Sequence, residues 1–188
     1  VIVERNGSYF EPGYSATDNS GEAIAVTVTG LDVLNTSVSG IYYIEYTAID
    51  SSNNEAKETR TVVVQDTVSP VLQSAIVYDE TPTDLVLTFN ETIELKGDPT
   101  SLEVVKWGSV RISVAIHSGR VESNTLILSV LSHYAVEHGE TVALSLPSGF
   151  VTDLANNPND YYASLGVDNL VLDKTAPQIV SAKITSGT

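Results

Sequence analysis

The sequence predicts an all-β chain of serial two-sheet sandwiches, and three observations lead there. The apolar residues lean to Val, Ile, Leu and Tyr, with many Thr and Ser and neither Met nor Cys, a palette that suits strands. Leu85, Leu87 and Phe89 alternate with polar positions, as do Val142, Leu144 and Leu146, which is the period of a strand burying one face. A joint also occurs twice. Asp66-Thr67-Val68-Ser69-Pro70-Val71-Leu72-Gln73-Ser74-Ala75 returns as Asp173-Lys174-Thr175-Ala176-Pro177-Gln178-Ile179-Val180-Ser181-Ala182, with the prolines 107 residues apart. Apolar runs precede both copies, Val62-Val63-Val64 and Leu170-Val171-Leu172. Proline sets its own φ and drives the preceding residue into extended backbone, so the repeat reads as a seam between strand-rich domains.

The seams place a first sandwich at 1–66, a second at 67–173 and the start of a third repeat at 174–188. The first sandwich opens inside a strand-like segment and is expected to be truncated at its N-terminus. The whole is expected to be a piece of a longer array.

Composition narrows the function. Of 188 residues, 42% are apolar, enough for packed cores, and 18% are charged, below the usual share. The net charge is −15. Residues 1–66 carry ten acids and three bases, and residues 67–173 carry fourteen and four. A surface of that sign repels phosphate backbones, which argues against nucleic acid as a partner, and it attracts divalent cations. Without Cys there is neither a disulfide framework nor thiolate chemistry. The sequence contains no signal-peptide pattern and no membrane-spanning run. Three Asn-x-Ser/Thr sequons, at Asn6, Asn35 and Asn90, are candidate glycosylation sites.

In the first sandwich, Val1-Ile2-Val3 leads to a turn at Asn6-Gly7. Gly13 and Asp18-Asn19-Ser20-Gly21 supply further turn chemistry. Ile24, Val26 and Val28 alternate in a half-buried strand closed by Gly30. The run Ile41–Ile49 is a strand whose core face is Tyr42, Ile44, Tyr46 and Ala48, because the opposite face holds Glu45 and Thr47. Asp50-Ser51-Ser52-Asn53-Asn54 turns the chain, and Thr59–Val64 is the last strand.

Gly7-x-Tyr9-x-Glu11-Pro12-Gly13-Tyr14-x-Ala16-x-Asp18, then Gly40-x-Tyr42-x-Ile44-x-Tyr46-Thr47-Ala48-x-Asp50, then Arg60-Thr61-Val62-x-Val64-x-Asp66 resembles the bacterial immunoglobulin-like surface repeats. These relate to the hyalin-repeat and DUF5011-type domains of cell-wall, S-layer and adhesin proteins. The resemblance covers the whole first sandwich. Asn53 stands where the family's Asp-x-x-Gly-Asn turn has glycine, and Asn tolerates the left-handed backbone such a turn needs.

In the second sandwich the expected strands are Val71–Val77, Leu85–Phe89, Ser109–Ile116, Thr125–Leu131 and Thr141–Leu146, with one or two helical turns in Leu131–His138. Leu87-x-Phe89-Asn90-Glu91-x-Ile93 and Ser148-Gly149-x-Val151-x-Asp153-Leu154-Ala155-Asn156-Asn157-Pro158 resemble another immunoglobulin-like repeat of S-layer and adhesin proteins, Asn156 again replacing glycine. Both resemblances imply tandem immunoglobulin-like Greek-key β-sandwiches, each of two antiparallel sheets.

Catalysis finds little support. No Cys or acidic ligand frames His117, His133 and His138 at zinc spacing, and no nucleophile elbow or phosphate loop occurs. Asp79-Glu80 imitates a glycosidase acid pair, as adjacent acids do in any acidic protein. The chain is therefore read as no enzyme.

Calcium is the better chemical candidate, since it needs six to eight oxygens from carboxylates, amides and carbonyls in turn-rich loops. The seams and the 153–160 loop offer Asp66, Glu91, Asp153, Asn156, Asp160 and Asp173, with Asp168 nearby. Their placing resembles the interdomain Asp-x-x-x-Pro segments of cadherin-like calcium repeats. Asp18, Asp50 and Asp153 equally suit a purely local role as turn caps.

Taken together, the sequence reads as a structural segment of a secreted cell-surface protein, an S-layer or other envelope array that self-associates through further copies. Stalk repeats of an adhesin and accessory sandwiches of a secreted glycoside hydrolase are the alternatives. A sugar-binding sandwich needs an aromatic platform, for which Trp107 and Tyr161-Tyr162 are the candidates. Trp107 is expected in the core, and the tyrosine pair is expected to split, one ring in and one out.

Overall fold

The computed structural model describes residues 1–178 and 180. The remainder of the expected third repeat, including Ile179 and Ser181-Ala182, lies outside the described residues. The chain forms two compact units, Val1–Val68 and Ser69 onward.

The first unit is built on one sheet. Strands β1 (Ile2–Glu4), β2 (Val26–Thr29), β3 (Gly40–Ile49) and β4 (Glu55–Gln65) lie in the order β1-β4-β3-β2. The β3 alternation falls as the sequence predicts: Ile44 and Tyr46 are buried and Tyr42 and Ala48 half-buried, while Ile41, Tyr43 and Ile49 face outward. Strand β4 starts four residues before the expected Thr59, because the hairpin ladder stays paired from Gly40↔Val64 to Ile49↔Glu55. Pairing there is held by backbone hydrogen bonds, so the polar Glu55–Glu58 stretch extends it without an apolar signal. Gly30 closes β2 with φ +92°, and a Cβ there would stand 2.3 Å from the Tyr43 carbonyl oxygen, so only glycine fits.

Val3, Ile44, Tyr46 and Val62 form the core, with Tyr9, Val26, Val28, Leu34 and Tyr42 packed against it. The cover over this face is irregular. Between Tyr9 and Ala23 the described residues form a single bridge, Thr17↔Ala23.

The second unit carries β5 (Leu72–Val77), β6 (Asp84–Phe89), β7 (Ile93–Leu95), β8 (Glu103–Trp107), β9 (Arg111–Ala115), β10 (Ser118–Glu122), β11 (Thr125–Ser129), β12 (Thr141–Leu146), β13 (Val151–Asp153) and β14 (Tyr162–Asn169). Eight of them form one ladder, β10-β11-β6-β5-β14-β12-β8-β9, and β13 and β7 form a small ribbon. Leu85, Leu87 and Phe89 from one half of the ladder share a core with Val104, Val142, Leu144 and Leu146 from the other. At the midpoint, β5 and β14 are joined by two parallel residue pairs, Asp168↔Ile76 and Asn169↔Val77. The ladder folds over at this thin parallel seam, which stacks its halves as the two layers of a sandwich.

The fold is thus all-β and immunoglobulin-like, as the sequence predicts. The pairing departs from a wholly antiparallel expectation at two places, β1 with β4 and β5 with β14. Other boundaries also shift. The expected strand 109–116 contracts to β9 and is flanked by β8 and β10, whose Gly119 and charged residues mask the period. The 131–138 helical segment is one 3-10 turn, Ser132–Tyr134. Leu170-Val171-Leu172 adds no strand, because β14 ends at Asn169 and only the Leu170 N–H continues towards β5, donating to the Val77 carbonyl at 2.9 Å.

Lys106 is an inward charge with no local signal in the sequence. It shares the phase of Val104 on β8 and is 5% exposed. Its ammonium donates to the Ala135 carbonyl at 2.8 Å and to Glu140 Oε2 at 2.9 Å. Trp107, expected in the core, alternates to the outer face at 36% exposure, with Arg111 5.8 Å from its ring centre. The Tyr161-Tyr162 pair splits as expected: Tyr161 is exposed and Tyr162 packs on the core, its hydroxyl accepting from Leu72 N–H at 3.0 Å.

Candidate functional site

The densest polar cluster of the first unit centres on Glu11. Arg60 lies on the inward face of β4, in phase with Val62 and Val64 and opposite Ile44. An inward guanidinium needs a partner. The Tyr9–Gly13 segment crosses that face and supplies one, because Glu11 pairs with Arg60 Nη1. Glu11 also accepts from the hydroxyls of Tyr46 at 2.7 Å and Tyr9 at 2.8 Å, and from Gly13 N–H at 3.1 Å. Arg60 Nη2 donates to the Gly13 carbonyl at 3.1 Å, and the guanidinium lies 4.9 Å from the Tyr46 ring centre.

Burial alone would push the Glu11 carboxyl up, but the donors Tyr46, Arg60, Tyr9 and Gly13 outweigh it and hold the group at about 2. Burial and the facing Glu11 carboxylate push the Tyr46 phenol up, so it remains a donor. A carboxylate so acidic and so fully occupied is a poor general base. The cluster serves as a clamp that staples the irregular layer to the sheet.

Beside the clamp, the 13–18 loop and the β3–β4 hairpin border an open cavity of about 460 Å³. Tyr14 and Tyr46 stand on its wall with ring centres 5.3 Å apart. At its end, Asp18, Glu22 and Asp50 bring carboxylate oxygens within 4.8 Å of one another, all half-buried. Asp18 and Asp50 are turn caps, as their sequence context predicts, and Glu22 joins them without any local sequence signal. Each has its own donor: Ser20 N–H for Asp18 at 2.8 Å, Ser51 N–H for Glu22 at 3.0 Å, and Ser52 and Asn54 N–H for Asp50 at 2.9 and 2.7 Å.

The predicted calcium ligands are placed as follows. Asp66 follows β4, its side chain 6% exposed, and pairs with Arg5 at 2.7 Å. In the second unit, Glu91 and Asp153 come together, with carboxylate oxygens within 4.8 Å. Asp153 is 1% exposed and accepts Ala155 and Asn157 N–H, each at 2.8 Å. Asn156 lies in the same turn with φ 68°. Asp160 is exposed, and its carbonyl accepts from the buried Asn159 amide at 2.6 Å. Asp173 is exposed on the outgoing chain and accepts Thr175 N–H at 2.8 Å, which lowers its carboxyl. The donor chemistry suits a hard cation, with protein N–H groups already on Asp153 and a guanidinium on Asp66.

Each unit pins its own outgoing segment. Glu4 takes both the N–H and the hydroxyl of Thr67 at 2.8 Å. Asp79 takes Leu172 N–H at 3.1 Å and Lys174 at 2.9 Å, which gives that carboxylate a structural task; Lys174 leads the causes that lower it. His138 Nδ1 donates to the Val171 carbonyl at 2.9 Å, while the His133 ring lies tilted against Tyr134 with centres 4.1 Å apart and His117 is exposed after β9. The sequons lie on exposed residues. Asn35 Oδ1 accepts Ser37 N–H at 3.0 Å, Asn90 Oδ1 accepts Val71 N–H at 2.7 Å, and Asn6 sits in a turn with φ 62°.

The units are therefore immunoglobulin-like all-β domains with internal clamps. Residues 1–64 match the family described as bacterial surface protein, Ig-like domain, to which the first unit is similar. No curated protein matches the chain. Among the described residues, no helix is long and apolar enough to cross a membrane.

Proposed function

We propose that the chain is a structural repeat segment of a secreted cell-surface protein, an S-layer or similar envelope array, in which the sandwiches hold spacing and present acidic faces. The observation that carries the reading is the match of residues 1–64 to a surface immunoglobulin-like family. Two features support it. The Glu11 carboxylate is spent on internal donors, and each unit ties down its own outgoing segment. Both are what a mechanical element requires. Copies of the chain associate laterally in this reading, and the exposed sequons carry glycans.

Calcium belongs to the same proposal. In the second unit the paired carboxylates of Glu91 and Asp153, with Asn156 and Asp160 on the neighbouring loop, would supply oxygen ligands; Asp66 and Asp173 are separate candidate ligands, each on the outgoing segment of its own unit. The ion would neutralise part of the excess of −15.

Electron microscopy of the native envelope tests the proposal. A two-dimensional lattice containing this chain is the expected result. Sparse filaments would replace it with the adhesin stalk, and recovery of the chain joined to a soluble hydrolase would replace it with the accessory-domain reading.

A further inference from the structure

We infer that the cavity of the first unit is a binding site for a primary alkylammonium group carried on a short aliphatic stem. Its volume of about 460 Å³ falls within the range of ligand pockets. The lining divides by chemistry. Ala48 and Ala56, paired across the β3–β4 hairpin, leave the floor open and apolar, with Ile24 and Val26 beside them. Tyr14, 52% exposed, and Tyr46 supply aromatic surface, which attracts cations.

Charge decides the sign of the guest. Four acids line the cavity, Asp18, Asp50, Glu55 and Glu58, against Lys57 and Arg60. Arg60 is already balanced by Glu11, which is not part of the lining, and Lys57 is paired with Glu55 at 3.1 Å. Asp18, Asp50 and Glu58 are left in excess, and Glu58 forms no ion pair among the described residues. An anion would meet three carboxylates, whereas a cation completes the balance. Hydrogen bonds from Ser20 and Asn54 lower the Asp18 and Asp50 carboxyls, so both stay charged at neutral pH. The apolar floor asks for a hydrocarbon stem, which separates this guest from a bare metal ion. The end of a lysine side chain and a free amine share that chemistry.

Amide NMR of the 15N-labelled full chain, titrated at low salt with pentylammonium, tests the site. Saturable shifts at Tyr14, Ala48 and Ala56 are expected, with none from pentanol at equal concentration. Glu58→Gln, an exposed change that leaves the core intact, should weaken binding roughly three- to tenfold through loss of one nearby charge. Ala48→Leu should abolish binding by filling the floor; should it unfold the unit, the Glu58→Gln comparison stands alone. Equal saturation by Nα-acetyl-lysine methylamide assigns the site to lysine side chains, and saturation by pentylammonium alone assigns it to free amines. Linear shifts spread over all surface acids, equal affinity in Glu58→Gln, or no shifts would overturn the inference.

Discussion

The carboxylate of Asp153 holds both the backbone N–H and the side-chain amide of Asn157, at 2.8 and 2.7 Å. Asp50 holds Asn54 in the same way in the other unit, at 2.7 Å for both bonds. Between the partners, Asn53 and Asn156 take φ 64° and 68°, the left-handed region that the glycine of the related turn would occupy. The two units share this carboxylate-wrapped turn although the sheets around it differ.

Asn156→Ala should therefore lower the stability of the second unit by about 1 kcal/mol, because a Cβ without a compensating amide disfavours left-handed backbone. Asn156→Gly should leave it unchanged or slightly raised. Trp107 is the chain's one tryptophan and lies in the second unit, so urea unfolding followed by its fluorescence reads that unit.

Glu11→Gln should cost the first unit about 2 kcal/mol at pH 7, the scale for hydrogen bonds to a charged group. The loss is pH-dependent. The unfolded carboxyl takes its proton near 4.5 and the folded one only near 2, so the unfolded state binds more protons in that window. Wild-type stability should fall as pH drops through it, and the gap to Glu11→Gln should close. Tyrosine near-UV circular dichroism during thermal unfolding measures this, and a gap constant from pH 7 to 2 would contradict the clamp.

Lys106→Ala should lower the stability of the second unit by about 3 kcal/mol, since it strands Glu140 beside the buried end of β8. Lys106→Met combined with Glu140→Leu should recover most of the loss, because an apolar pair carries no desolvation penalty. Tryptophan fluorescence in urea gives the values, and a double variant as unstable as the single one would assign the lysine a further role.

Calcium at millimolar concentration should raise the thermal midpoint, and a chelator should reverse the rise. A ligand at 100 times its Kd and bound only by the native state contributes about 2.7 kcal/mol. Glu91→Gln should reduce the rise without unfolding the chain. A midpoint indifferent to calcium and chelator removes calcium from the proposed function.

Much of this was legible in one dimension. Alternation in 41–49 and 85–89 assigned buried faces, because neighbouring strand residues must point opposite ways. The Asp-x-x-Asn-Asn spacing placed two turns, because their hydrogen bonds run between residues four apart. Other features had no local signature. Arg60 reads as a polar residue near a strand end until Glu11, 49 residues away, covers it. Lys106 reads as a surface lysine until the 135–140 loop closes over it, and Trp107 reads as core until the phase set by Val104 turns it outward. Sequence by itself determined the strands, their apolar faces and the turns, since these follow from backbone geometry and side-chain period. Only the tertiary structure decided the parallel seam between β5 and β14, the clamps and the cavity, because each depends on which distant segments meet.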